Sequence, residues 1–187
     1  MGIDHLQKVH TEHMVGGPGQ FDRYDVMRER STMTIVATAK PAPYVDPGAL
    51  TKLYIREPES AAMNAWRRRH PLALTVTHHG RAEVTNSIGL AAFRQQITSE
   101  AWRDTIDSFE EDFSDGRYVQ TDILWRATLQ RAVQLSREHT PTIGCRTLDM
   151  LHIASALELE FKSFLTFDAR QQRLARIVGL KLIIPKG

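Results

Sequence analysis

The chain has 187 residues, of which 42% are hydrophobic and 25% are charged, a composition typical of one soluble globular domain. Its formal net charge of +2 is too small to make the whole surface bind nucleic acid, so any phosphate-binding region must be local. The single cysteine, Cys145, excludes an internal disulfide bond and fits a reducing cytoplasm. The sequence shows neither a run of about 20 apolar residues nor a secretory signal, so we expect a cytoplasmic protein with no membrane contact.

Residues 1–42 differ from the rest of the chain and are predicted to form an N-terminal extension. They hold the breaker cluster VGGPGQ and the charge-rich stretch DRYDVMRERS, which has no clear apolar stripe. The sequence KPAP at 40–43 then interrupts any helix before the first apolar run. We expect this extension to be flexible or loosely docked, with Met33 as an alternative natural start, and residues 43–187 to form the folded domain.

From Tyr44 onward, short apolar runs alternate with segments of helical periodicity. In chain order the pattern predicts strand 43–46, helix 48–55, helix 60–70, strand 72–77, helix 80–96, helix 99–113, strand 118–121, helix 122–139, helix 147–161, strand 163–168, helix 169–179 and strand 180–185. Such alternation predicts an α/β fold of three layers, in which a central parallel sheet carries helices on both faces.

Four acidic residues lie at the ends of these predicted elements: Asp46, Glu83, Asp149 and Asp168. Asp46 and Asp168 each end a predicted strand, which places them at the carboxyl edge of the sheet, where open parallel sheets bind ligands. Asp149 lies in the first turn of its helix, where the helix dipole favours an anion, and Glu83 lies near the start of the helix after the second strand. We therefore expect the four acids to converge on one crevice.

Carboxylates brought together in a crevice repel one another, and their pKa values rise unless a cation neutralises them. Mg²⁺ or Mn²⁺ fits such an all-oxygen site, and an ion of this kind assists the attack of water on a phosphodiester. The alternative is that each acid only caps a helix or begins a turn, as Asp and Glu often do. The joint placement of four acids at one edge favours the metal site.

Three stretches of the sequence carry a resemblance to a known family. YVDPGALTKLYIREPES resembles the opening motif of PIN-domain ribonucleases, in particular the VapC-type toxins of bacterial toxin–antitoxin pairs, and RAEVTNSI resembles their second motif. RTLDMLHIASALELEFKSFLTFDARQQRLARIVGLKL is similar to their third and fourth motifs, and the match extends over about residues 44–184. The resemblance implies a PIN-like fold, dependence on Mg²⁺ or Mn²⁺, endonucleolytic cleavage of RNA and an antitoxin protein that blocks the site.

The resemblance also implies roles for particular residues. The family's four catalytic and metal-binding acids correspond by position to Asp46, Glu83, Asp149 and Asp168. Thr166, two residues before Asp168, matches a family hydroxyl that helps to order the site. The family usually has Ser or Thr two residues after its first Asp, where this chain has Gly48. Losing a supporting group of this kind typically lowers metal affinity or activity ~10–100-fold, but all four acids remain, so we expect an active enzyme.

Two further surfaces are predicted from residue type. Arg146, Arg170 and Arg173 flank the third and fourth acids and suit the geometry of an RNA phosphate, although arginines in such positions can also form an ordinary solvated face. The segments 98–113 and 122–137 are expected to pair as a helical hairpin. The first holds more apolar side chains than one face needs, which predicts a homodimer or antitoxin surface there: Trp102, Ile106, Phe109 and Phe113.

Two alternatives to a metal-dependent endoribonuclease remain open. One is a phosphatase or phosphotransferase with Asp46 as nucleophile, although haloacid-dehalogenase-like sites usually carry a second Asp where this chain has Gly48. The other is a non-catalytic metal-binding module that binds RNA. A receiver-like version would need a lysine after a late strand, and Lys186 lies beyond any plausible site.

Overall fold

A computed structural model of the protein describes residues 42–186. The predicted extension at 1–42, with its alternative start, therefore lies outside the described residues except for Ala42, which packs against the edge of the core. No helix within residues 42–186 combines the length and the apolar character needed to cross a bilayer.

The described residues form every predicted strand and helix. The strands are β1 Tyr44–Val45, β2 Leu74–Thr77, β3 Tyr118–Thr121, β4 Ser163–Leu165 and β5 Lys181–Ile183. The helices are α1 Pro47–Thr51, α2 Ser60–Arg69, α3 His78–Phe93, α4 Ser99–Ser114, α5 Trp125–Ile143, α6 Thr147–Glu158 and α7 Ala169–Ile177.

Several elements end at residues other than those predicted, and α1 and α5 differ most. The sequence pattern predicts that helix α1 extends to residue 55. The helix instead stops at Thr51, and the chain then turns, so that the Tyr54 hydroxyl lies 2.8 Å from the Tyr118 hydroxyl and bonds to Asp112. Helix α5 starts at Trp125 rather than at Asp122, whose carboxylate lies 2.9 Å from His78 Nε2. Both differences come from contacts between residues far apart in the chain, which local periodicity does not record.

All paired strands run parallel, as predicted. β4 pairs with β1 on one side and with β5 on the other, while β2 pairs with β3. The strands thus form a three-stranded sheet of order β1-β4-β5 and a two-stranded sheet of β2 and β3, and β1 lies beside β2 where the two sheets adjoin. The carboxyl ends of β1, β4 and β5 therefore meet at one edge.

The alternation of side chains along the strands separates two apolar cores. Tyr44 and Phe164 point into one core with helices α5, α6 and α7. Val45 and Leu165, the next residues of the same strands, point into the other core with helices α1 to α4. Because successive side chains of a strand face opposite sides of the sheet, the helices cover both faces, and the three-layer α/β/α arrangement is confirmed.

The predicted hairpin between the fourth and fifth helices is wrong. α4 packs on α3, whereas α5 packs on α6 at the opposite face of the sheet, because β3 lies between the two helices in the chain. Phe109 is fully buried in the first core, and Ile106 and Phe113 pack against it, so most of the apolar excess of α4 serves the fold. Trp102 keeps about a third of its surface exposed.

Candidate functional site

Asp46 lies at the junction of β1 and α1. Its backbone N–H donates to the Leu165 carbonyl at 3.0 Å, which ties it to the end of β4. Its side chain caps α1, since Oδ2 accepts a hydrogen bond from the Gly48 N–H at 3.1 Å. The carboxylate is buried, with only 7% of the residue exposed, and its Oδ1 accepts from Gln171 Nε2 at 2.8 Å.

Asp168 is the N-cap residue of α7 and lies three residues after Leu165, the last residue of β4. Its Oδ1 caps the helix by accepting from the N–H groups of Arg170 at 2.8 Å and Gln171 at 3.0 Å. Burial alone would raise the pKa of Asp168. The two N–H groups and the Arg170 guanidinium outweigh burial and hold that pKa below its usual range. Asp168 is therefore prepared to carry a full negative charge.

Asp149 lies in the first turn of α6, as predicted, and its two oxygens have different partners. Oδ2 accepts from the Arg146 N–H at 2.7 Å, which closes the start of the helix. Oδ1 points toward the other acids and lies 3.3 Å from Gln171 Nε2, the same atom that contacts Asp46. Two acids that lie 103 positions apart in the numbering of the chain thus share one hydrogen-bond donor.

Glu83 lies in the second turn of α3, because the helix begins at His78, slightly before the predicted start. Its Oε2 lies 2.8 Å from Nε2 of His152, which is fully buried in α6, and His152 Nδ1 lies 2.8 Å from the Tyr44 hydroxyl. Burial raises the pKa of Tyr44 far above its usual range, so the hydroxyl keeps its proton. His152 thus joins Glu83 on α3 to Tyr44 on β1.

The residue that joins the acids, Gln171, is absent from the sequence-based set. Its side-chain nitrogen contacts Asp46 and Asp149, its backbone nitrogen contacts Asp168, and only 2% of its surface is exposed. A signal was present in the sequence, since Asp168-Ala-Arg-Gln171 has the spacing of a capping box, with a glutamine three residues after a capping acid. That signal predicts a local cap and says nothing about a contact with distant acids.

The electrostatics of the site favour a cation. Burial raises the pKa of Asp46 to about 6. The charge of His152 and the Gln171 hydrogen bond oppose this rise, whereas the negative charges of Glu83 and Asp149 add to it. At neutral pH the carboxylate is therefore mostly ionised, but burial makes its charge less favourable than in water, and a nearby cation would stabilise it.

The donor set fits a hard divalent ion in its chemistry. All four side chains are carboxylates, the preferred ligands of Mg²⁺ and Mn²⁺, and the raised pKa of Asp46 marks a local deficit of positive charge. Within residues 42–186, no three Asp, Glu, His or Cys side chains already stand at the mutual spacing of metal ligands. The site thus has the residue types of a metal centre, but its carboxylates lie farther apart than the ligands of a bound ion.

A cleft of about 380 Å³ opens beside the acids and is lined by Asp46, Asp168 and Lys52. Lys52, which the sequence did not single out, is held within it by Glu57 at 2.6 Å and Glu59 at 2.8 Å. A larger cavity of about 690 Å³ lies near Tyr54 and Arg67, but none of the four acids lines it. We assign the function to the smaller cleft, because two of the four acids, Asp46 and Asp168, line it, whereas Glu83 and Asp149 lie outside its lining.

The three predicted RNA-binding arginines lie near the third and fourth acids. Arg146 and Arg173 are exposed, whereas Arg170 is half-buried against Asp168. Burial, together with the charges of Asp149 and Asp168, raises the pKa of the Cys145 thiol to about 11. The charges of Arg170 and Arg173 oppose that rise.

Comparison with known proteins gives two matches. The family model described as "PIN domain" matches residues 44–177. The chain is 29% identical over 145 residues to Ribonuclease VapC46 of Mycobacterium tuberculosis (strain ATCC 25618 / H37Rv), an alignment that covers 76% of this chain and 96% of the relative. The family match spans all four acids, Thr166 and Gln171.

Proposed function

This chain belongs to the PIN-domain family, and on that premise we propose that it is a metal-dependent endoribonuclease, the toxin of a toxin–antitoxin pair. The observation that carries the proposal is the meeting of Asp46, Asp149 and Asp168 on one residue, Gln171, at the carboxyl edge of a parallel sheet. The relative named a ribonuclease supports RNA as the substrate.

We propose Mg²⁺ or Mn²⁺ as the ion, since PIN-domain ribonucleases generally use divalent metals. Asp46, Asp149 and Asp168 would hold it, with Glu83 as a further ligand or orienting the attacking water. When bound, such an ion neutralises charge on the scissile phosphate and lowers the pKa of water. The pKa of Asp168 is lowered and that of Asp46 is raised to about 6, so a bound cation would stabilise the buried charge of Asp46 in particular.

Protein groups would then position the substrate and the water. His152 fixes Oε2 of Glu83 at 2.8 Å, which leaves Oε1 free to accept a hydrogen bond from the attacking water. Arg146, Arg170 and Arg173 would contact RNA phosphates beside the cleft, where guanidinium groups bind phosphate oxygens in pairs. In-line attack would leave a 5′-phosphate and a 3′-hydroxyl.

We also propose an antitoxin partner, a homodimer and a cytoplasmic location. The name of the relative, a VapC ribonuclease, supports the antitoxin. An exposed apolar row on α5, at positions four residues apart, supports self-association: Trp125, Leu129 and Val133. The lone Cys145 supports a reducing compartment. Sedimentation of the purified chain tests the dimer, and Leu129→Asp with Val133→Asp is expected to yield monomers.

Incubation of labelled RNA with the purified chain, in Mn²⁺ or in EDTA, separates this function from its alternatives. The nuclease is expected to cut RNA in Mn²⁺ and to leave it intact in EDTA. A binding module would retard the RNA in a gel without cutting it in either buffer. A phosphatase would release inorganic phosphate from a 5′-labelled end, with no internal cleavage, through a covalent phosphate on Asp46.

A further inference from the structure

Gln171 is the one glutamine of α7 whose side chain faces the acids. Its Nε2 lies 2.8 Å from Asp46 Oδ1 and 3.3 Å from Asp149 Oδ1, and its backbone N–H lies 3.0 Å from Asp168 Oδ1. Its neighbour Gln172 is only partly buried, and its Nε2 donates instead to the Thr166 carbonyl at 3.3 Å. Both residues are glutamines of α7, but only the side chain of Gln171 contacts the acids.

The orientation of the Gln171 amide is fixed by Thr166. The fully buried Thr166 hydroxyl donates to Gln171 Oε1 at 2.5 Å and accepts from the Asp168 N–H at 3.1 Å. A rotated amide would place its oxygen against two carboxylates, which is repulsive, and would lose the hydrogen bond that Oε1 accepts from Thr166. The NH₂ group therefore faces the acids.

We propose that Gln171 is a positioning residue for the metal-binding acids, and that Thr166 acts on the site through it. The amide holds one oxygen of Asp46 and one of Asp149, which sets the separation and orientation of the two carboxylates. Its N–H dipole offsets their mutual repulsion before an ion binds. This inference rests on the proposed metal-dependent function and adds to it a residue that orients the ligands.

A role in metal binding and a role only in folding predict different measurements. Carboxylate ligands are themselves held by hydrogen bonds, and removing such a partner typically lowers metal affinity 10–100-fold. A glutamine that only stabilises α7 would change the thermal midpoint of the protein and leave its affinity for metal unaltered. Affinity for Mn²⁺, measured directly without RNA, therefore separates the two roles.

The test compares Mn²⁺ binding by the wild type, Gln171→Met and Gln172→Met, by isothermal titration calorimetry and by the electron paramagnetic resonance signal of free Mn²⁺. Gln171→Met keeps the length of the side chain and removes its three hydrogen bonds, to Asp46, Asp149 and Thr166. The dissociation constant for Mn²⁺ is therefore expected to rise about 10–100-fold. Gln172→Met makes the same chemical change one residue away and is expected to bind as the wild type does. Circular dichroism in EDTA checks that each variant is folded.

Thr166→Val provides a second, independent variant should Gln171→Met fail to fold. It keeps every acid and Gln171 but removes the hydroxyl that contacts Gln171 Oε1 and the Asp168 N–H, so a higher dissociation constant for Mn²⁺ is again expected. Equal affinity in the wild type, Gln171→Met and Thr166→Val would overturn the positioning role and leave the proposed function standing. Absence of Mn²⁺ binding by the wild type itself would overturn both.

Discussion

The Nε2 atom of His152 lies 2.8 Å from Oε2 of Glu83, so a fully buried imidazole supports one of the four candidate acids. The other ring nitrogen lies 2.8 Å from the Tyr44 hydroxyl, on the strand that leads to Asp46. Glu83 on α3 is thereby joined through α6 to β1. His152 thus connects two parts of the candidate site.

The hydrogen bond between Tyr44 and His152 is expected to contribute measurably to stability. Tyr44→Phe removes one donor and should cost about 0.5–1.5 kcal/mol of unfolding free energy. His152→Phe leaves the Tyr44 hydroxyl without this partner and should cost about 1–3 kcal/mol or more. Urea denaturation of both single variants and the double variant should show a coupling free energy of at least about 0.5 kcal/mol. Additive effects would mean that the bond contributes nothing.

Asp46 should make the metal-free protein less stable as the pH rises. Its pKa is about 6 in the folded protein against an ordinary 3.8, so the folded state binds the proton more tightly than the unfolded state. The penalty is absent below about pH 4, grows between pH 4 and 6, and is complete above that, at about 3 kcal/mol. In EDTA, the unfolding free energy of the wild type minus that of Asp46→Asn should fall by about this amount over that range.

Asp168 serves as a control, because its contribution to the unfolding free energy should depend on pH in the opposite direction to that of Asp46. Its folded-state pKa is lowered, so its charged form stabilises the folded protein at neutral pH, and this contribution disappears as the pH falls through the lowered pKa. The unfolding free energy of the wild type minus that of Asp168→Asn should therefore fall on acidification. A difference that changes in the same direction for both acids would contradict the environments described for them.

The fold was predictable from the chain because its strands and helices are short and strongly patterned. Tyr44–Val45 and Phe164–Leu165 alternate between two cores, and α6 carries an unbroken run of buried residues from Met150 to Ala156. The predicted hairpin failed because local patterns do not show which face of the sheet a helix covers. The early end of α1 has a similar cause, since the contact of Tyr54 with Asp112 joins residues 58 positions apart.

Sequence patterns could identify the acids of the candidate site but not the residues that connect them. An acid at a strand end or a helix start has a local signature, and Asp46, Asp149 and Asp168 all have one. Gln171 and His152 act through contacts that span 125 and 69 positions, with Asp46 and Glu83 respectively. A glutamine or histidine on a helix gives no local sign of such a partner.

Substitutions at Gly48 test whether the hydroxyl that the family usually carries at this position increases the rate of RNA cleavage. A Cβ atom at this position would lie 2.9 Å from Asp46 Oδ2, so any side chain displaces the carboxylate slightly. Gly48→Ala and Gly48→Ser share this displacement and differ only by the hydroxyl. Gly48→Ser should cleave RNA about 10-fold or more faster than Gly48→Ala, within the range typical of supporting groups. Equal rates would show that the hydroxyl has no role in this chain.

Arg173 is expected to contribute to RNA affinity, whereas Arg176 on the same helix serves as its control. Both are exposed, but only Arg173 is close enough to the Cys145 thiol, beside Asp149 and Asp168, to affect its pKa. With Asp149→Asn as a background that prevents cleavage, Arg173→Ala should weaken binding of single-stranded RNA and reduce the slope of log K against log salt by about 0.7. Arg176→Ala should change neither quantity, and an equal loss in both variants would contradict a local RNA contact.

Cleavage by Asp149→Asn tests the central claim most directly, because this variant removes one negative charge and keeps the shape of the side chain. Labelled RNA is incubated in Mn²⁺ with the wild type or the variant, at enzyme excess, and the rate of internal cleavage is measured. Circular dichroism and thermal unfolding confirm that both proteins are folded. The predicted result is rapid cleavage by the wild type and no detectable cleavage by Asp149→Asn. Cleavage at the wild-type rate by the folded variant would contradict the assignment of this acid cluster as the nuclease site.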